Sequence, residues 1–172
     1  MNLKQRMSER KPSILSSWRD AALAIPASAR HPGFSEKQRE LIEDVSGFGL
    51  ELGMERLFDA LLQTVIPDNA SRFLDDLVRI RAAHDVSASE ALAFLPALKK
   101  IVHTEFEKDA LEGPGLREEL IAWDSTVDEL MLFAFDIYVK TRESVLDARA
   151  REESQKTLRL LKKAKLISDD PG

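Results

Sequence analysis

The sequence predicts an all-α protein: a single helical domain of about five helices that ends in one long C-terminal helix. Three observations carry this. Apolar residues recur at three- and four-residue spacing through most of the chain. Glycine and proline number only seven each in 172 residues, so helix breakers are few. Charged residues make up 32 %, and Glu152 with Lys156 and Asp147 with Arg151 stand four apart with opposite sign, as helix-stabilising pairs do.

The first helix runs from about Ser8 to Ala24. Pro12 is tolerated only near a helix start, so the segment before it reads as a separate turn. Ile14, Leu15, Trp18, Ala21, Ala22 and Ile25 form its apolar face, and Pro26, Pro32 and Gly33 bracket the loop that follows. Ser35 and Gln38 read as a capping box for a helix to about Val45. The stretch from Ser46 to Val65 carries Gly47, Gly49 and Gly53. Gly49 and Gly53 lie four apart on one face, which predicts close helix–helix packing. Pro67-Asp68-Asn69 then introduces a helix from about Ala70 to His84. Ser87 and Glu90 make a second capping box, opening a helix from Ala88 to about Lys108 that Pro96 should kink.

Gly113-Pro114-Gly115 is the sharpest break, and no glycine or proline follows until Pro171. Leu116 to Ile167 therefore reads as one helix of roughly 75 Å. Its first half, rich in Trp123, Phe133, Phe135, Ile137 and Tyr138, reads as core. From Asp147 to Thr157 almost nothing but alanine is apolar; Leu158, Leu160, Leu161 and Leu166 then return among Lys162, Lys163 and Lys165. This divides the chain into a body at 8–146, a projecting helix at 147–167 and a disordered tail at 168–172. The aromatic supply of the body half exceeds what one intramolecular face covers, which predicts a homodimer.

Composition excludes several functions. There is no cysteine, hence no disulfide, thiolate chemistry or cysteine-ligated metal. The net charge of −5 speaks against a general nucleic-acid binder. No apolar run approaches the ~18 residues of a membrane span, and the charged N-terminus does not read as a secretory signal. A cytoplasmic location fits. Of the three histidines, His31 lies in a loop, His84 caps a helix end, and His103 sits among Ile101, Val102 and Phe106. His103 is the one candidate axial haem ligand, weighed against an ordinary histidine at the edge of an apolar face. Carboxylate doublets such as Asp75-Asp76 and Glu118-Glu119 diverge by about 100° around a helix and do not converge on a substrate. No phosphate loop, dinucleotide fingerprint or nucleophile elbow occurs. The reading is of a non-enzyme without cofactor or metal. Arg79 and Arg81, two apart, point to different sides of their helix, each to pair with a carboxylate or cap a carbonyl.

Two stretches carry a more specific likeness: 74–91 (LDDLVRIRAAHDVSASEA) and 132–143 (LFAFDIYVKTRE). The first resembles the signature of the RsbRD N-terminal domain family, an Arg-Ile-Arg-Ala run leading to an aspartate and a serine-rich cap. The second is similar to that family's Phe-Asp-Ile-Tyr motif with a basic residue and Arg-Glu after it. Arg79, Arg81, His84, Asp85, Phe135, Asp136, Tyr138 and Arg142 are the signature positions, and Trp18, Lys99 and Lys100 also fit. The family's Asn-Pro-Val-Gly stretch is Asp44-Val45-Ser46-Gly47 here, and His84 and Ala88 replace a glutamine and a proline. The resemblance implies a helical sensor module of stressosome signalling, related to non-haem globin-like domains. Such modules dimerise and precede a STAS domain that contacts a switch kinase. After Ile167 only five residues remain, against the ~100 a typical domain needs. The expectation is thus a stand-alone or excised module whose helix from Asp147 onward, with Leu158, Leu161, Lys162 and Lys163, is the output element. Two rival readings are a structural adaptor that senses nothing and a haem or small-ligand binder using His103.

Overall fold

The computed structural model describes residues 2–23, 49–63, 68–84, 86–112 and 114–164, and among them every regular element is an α-helix. The helices are α1 (Leu3–Glu9), α2 (Lys11–Leu23), α3 (Gly49–Leu61), α4 (Asp68–Ala83), α5 (Ala88–Leu92), α6 (Phe94–Glu112) and α7 (Pro114–Lys163). The Ser35–Gln38 box, the helix expected after it, the Asp44–Gly47 stretch, His31 and the tail lie outside the described residues.

Two of the seven are short pieces of what the spacing predicts as longer or simpler elements. The segment before Pro12 is a helix rather than a turn. Asn2 caps it reciprocally: the Gln5 N–H donates to Asn2 Oδ1 at 3.0 Å and the Asn2 N–H donates to Gln5 Oε1 at 3.3 Å. Pro12 sits in the first turn of α2, where a missing N–H costs nothing. Pro96 plays the same part in α6. Instead of kinking one helix from Ala88, it stands in the first turn of a new one, and α5 ends at Leu92. The Ser87–Glu90 capping box that opens α5 is present as the spacing predicts.

The core is continuous across the bundle. Ile14 and Trp18 of α2, Leu57 and Phe58 of α3, Leu74, Leu77 and Val78 of α4, Leu95, Leu98, Val102 and Phe106 of α6, and Leu120, Val127 and Ala134 of α7 are buried together. The largest helix pairing is α4 on α7, with α2 on α6 and α6 on α7 next. Gly53 explains how α3 approaches α4: a Cβ there would lie inside the Phe73 ring, so only hydrogen fits. That is the close packing predicted for the glycine pair. Gly49 has a different duty: it begins α3 at φ 70°, a left-handed conformation that a side chain disfavours.

Charge ties the layers at their edges. Lys11 Nζ donates to Asp59 at 2.8 Å and meets Glu55 at 2.8 Å, joining α2 to α3. Arg10 meets Asp109 at 2.6 Å and stands 4.7 Å over the Phe106 ring, anchoring the α1–α2 joint on α6. Lys99 Nζ donates to Asp128 at 2.9 Å, joining α6 to α7.

α7 departs from expectation in its first half. Trp123, Val127, Leu130 and Ile137 are buried, but Ile121, Leu132, Phe133 and Phe135 face outward. A single straight helix lying on one side of a bundle buries one stripe only. Every residue from Leu146 to Ala164 is exposed. No described helix is long and apolar enough to cross a membrane.

Candidate functional site

The two signature stretches meet at the corner between α4 and α5. On α4, Leu74, Leu77, Val78 and Arg81 stand at i, i+3, i+4 and i+7 and are all buried, so helical geometry carries an arginine into the core. Arg81 is 7 % exposed. Among the described residues no carboxylate meets it. Its Nη2 donates to the Ala22 carbonyl at 2.7 Å and its Nη1 to the Ala91 carbonyl at 2.8 Å. Ala22 lies in the last turn of α2 and Ala91 in the last turn of α5, where carbonyls lack intrahelical donors and the helix dipole is negative. Two helix ends thus stand in for an acidic partner. Burial alone pushes the guanidinium down to about 10, which leaves it charged at neutral pH.

An aromatic pair completes the lock. The Arg81 guanidinium lies 5.1 Å from the Phe94 ring centroid, within cation–π range. Phe94 stacks on Trp18 with centroids 6.3 Å apart, and Trp18 Nε1 donates to the Phe94 carbonyl at 2.7 Å. Both rings are fully buried. One arginine and one indole therefore fasten the end of α2, the end of α5 and the start of α6 to α4.

The second signature closes the corner from the other side. Tyr138 Oη donates to the Val86 carbonyl at 2.6 Å, and Arg142 Nη1 donates to the Ala82 carbonyl at 3.1 Å. These two, one turn apart on α7, grip the backbone on either side of the α4–α5 turn. The four acceptors named here, at Ala22, Ala82, Val86 and Ala91, are main-chain oxygens.

The remaining predicted positions are not gathered here. Arg79 faces outward and pairs with Asp75 at 2.6 Å; that hydrogen bond raises its pKa above the ordinary value. Phe135 and Asp136 are exposed on the far side of α7. His84 is exposed beside the corner, and Asp85 lies outside the described residues. Leu158, Leu161, Lys162 and Lys163 are on the exposed end of α7, well away from the corner. His103 Nε2 meets Asp124 Oδ2 at 2.8 Å on the surface. That arrangement spends the imidazole on a carboxylate, where an axial haem ligand would face an apolar pocket. Among the described residues no cluster of three or more His, Asp or Glu is placed to hold a metal.

Phe94 and the carbonyls of Ala22, Ala82, Val86 and Ala91 are absent from the sequence-derived set. Phe94 carries no signal beyond its place on an apolar face. A carbonyl has no residue signature at all.

No curated protein and no solved structure matches the chain. A family model described as the RsbT co-antagonist protein rsbRD N-terminal domain matches residues 14–153. That span takes in Trp18, the whole α4–α5 corner and the grip of Tyr138 and Arg142, and the chain belongs to this family.

Proposed function

We propose that this chain is a non-enzymatic sensor and regulatory module of bacterial stressosome-type signalling, acting as a homodimer through protein–protein contacts, with residues 147–163 of α7 as its output element. Family membership supports the signalling class. The observation that carries the rest is the split character of α7. Its stretch from Leu116 to Val145 packs on the body and holds the corner, whereas every residue from Leu146 to Ala164 is exposed. A rigid helix with one end fastened in a core and the other in water transmits a displacement along its length. The exposed end carries Leu158, Leu160 and Leu161 among basic side chains, a pattern suited to docking on a protein surface. A STAS-domain protein or a switch kinase is the partner class proposed.

Truncation after Arg149 tests this. The described residues that this removes, 150–164, are all exposed, so the shortened protein should keep its helical signal per residue and its melting temperature within about 2 °C, since surface changes cost at most about 0.5 kcal/mol. It should lose binding to the purified STAS protein or kinase encoded beside it. Retained binding, or an unfolded core, defeats the proposal.

A further inference from the structure

We infer that the pocket between α1, the end of α3 and the proximal part of α7 binds a small, uncharged, mainly apolar molecule that presents one hydrogen-bond acceptor to the Trp123 indole. This rests on the sensor reading above for its purpose, and it adds a site and a ligand class.

One donor in the core lacks an acceptor. Trp123 is 7 % exposed, and its Nε1 has no hydrogen-bond partner among the described residues. The other indole, Trp18, donates to the Phe94 carbonyl. The fold therefore satisfies one buried indole and leaves the second unsatisfied. An N–H kept from both water and a partner costs free energy, which an incoming acceptor recovers.

Trp123 lines a pocket of about 500 Å³, a size that holds small organic molecules. Leu3 and Met7 of α1, Leu61 of α3 and Ala122 of α7 join it in an apolar lining. Glu119 and Glu129 stand along the same pocket against Lys4. They leave its rim net negative, which turns anions away. The lining thus selects an apolar body, the rim excludes a negative charge, and the indole asks for an acceptor.

Water does not reach Trp123 Nε1, so an acceptor meets it only where a wall gives way. α1 is the lightly held wall. Leu3 and Met7 are its buried residues, and the Leu3 N–H donates to the Glu119 carboxylate. Arg6 and Arg10 pair with Asp109 towards its other end, so its first turn can swing while the joint to α2 stays fixed. The unbranched thioether of Met7 repacks readily around a guest. A molecule seated there lies against α7, the helix whose distal end is the output element proposed above.

The full-length chain labelled with 15N-tryptophan gives two indole N–H resonances, from Trp18 and Trp123, each assigned through its own backbone. Three probes of similar shape and no aromatic ring separate the requirements. Cyclohexanone offers a carbonyl oxygen, methylenecyclohexane has a CH2 group in its place, and cyclohexanecarboxylate carries a charge. Cyclohexanone should move the Trp123 resonance downfield and saturably, with a millimolar Kd as befits so small a ligand, and leave Trp18 in place. Methylenecyclohexane should give no downfield movement, and cyclohexanecarboxylate no change. Ala122 is exposed, so Ala122→Phe should fill the pocket with an unchanged helical spectrum and abolish the shift. No saturable movement with cyclohexanone, the same movement with either other probe, or a shift that survives Ala122→Phe overturns the inference. Each of these outcomes leaves the output reading standing, because truncation after Arg149 decides that separately.

Discussion

Replacing Arg81 by Met probes the corner most directly, because the stem volume is kept while the guanidinium is lost. The substitution leaves the Ala22 and Ala91 carbonyls without their donors at 2.7 and 2.8 Å. A buried polar group stripped of its partner costs about 1–3 kcal/mol, and loss of the contact over Phe94 adds about 1 kcal/mol. Against this, Met is spared the desolvation that lowers the Arg81 pKa to about 10. The balance is a loss of about 2–4 kcal/mol. For a chain of this size each kcal/mol moves the melting temperature by about 2–4 °C, so a mid-range loss lowers it by roughly 6–12 °C. Urea unfolding followed by helical circular dichroism gives the free energy, with an unchanged slope showing that the unfolded state is not altered. Arg81→Lys is the informative companion. A single ammonium lacks the fork that reaches two carbonyls from different helices, so it should recover less than half of the loss. If the Met variant unfolds within about 0.5 kcal/mol of the parent, the guanidinium does not tie these helices together and the corner is not the structural centre described here.

Other expectations follow from the same geometry. Gly53→Ala should destabilise by about 1–3 kcal/mol, because its Cβ would overlap the Phe73 ring; helix propensity alone predicts a gain of about 1 kcal/mol, so the sign of the shift in urea midpoint decides. Tyr138→Phe removes only the 2.6 Å bond to Val86 and should cost about 1 kcal/mol by the same assay. The Arg81 contribution should be flat in pH from 6 to 8.5. Its folded pKa of about 10 lies below the ordinary guanidinium range, so the unfolded chain binds more protons only above about pH 10, and this group makes stability rise with pH only there. Unfolding the parent and Arg81→Met at both pH values should give the same difference.

How much of this could be read from the sequence depends on whether the cause is local. α7 was legible because nothing between Gly115 and Pro171 can break it, and α5 began where Ser87 and Glu90 said it would. The capping box of Asn2 and Gln5 is not legible from periodicity, because α1 offers just Leu3 and Met7 to the core. Pro96 predicts a kink because its cost inside a helix is a local fact; whether a helix bends or restarts there depends on what receives the freed carbonyls. The outward turn of Phe133 and Phe135 could not be foreseen from composition, since a fifty-residue helix with apolar residues on several faces does not announce which face the body occupies.

The corner itself divides along the same line. Arg81 was readable as buried: it falls on the stripe of Leu74, Leu77 and Val78, whereas Arg79 does not. Its acceptors were not, because Ala22 lies 59 residues away and offers only a carbonyl. The same holds for Tyr138 and Arg142, which bind the backbone at Val86 and Ala82 across 52 and 60 residues. A donor that pairs with a carboxylate leaves two charged residues for a reader to match. A donor that binds a helix end leaves one, and its partner is a position in the fold. That is why the two signature stretches could be recognised separately in the chain while the reason they belong together, a single turn of backbone held from both sides, appears only when the helices are in place.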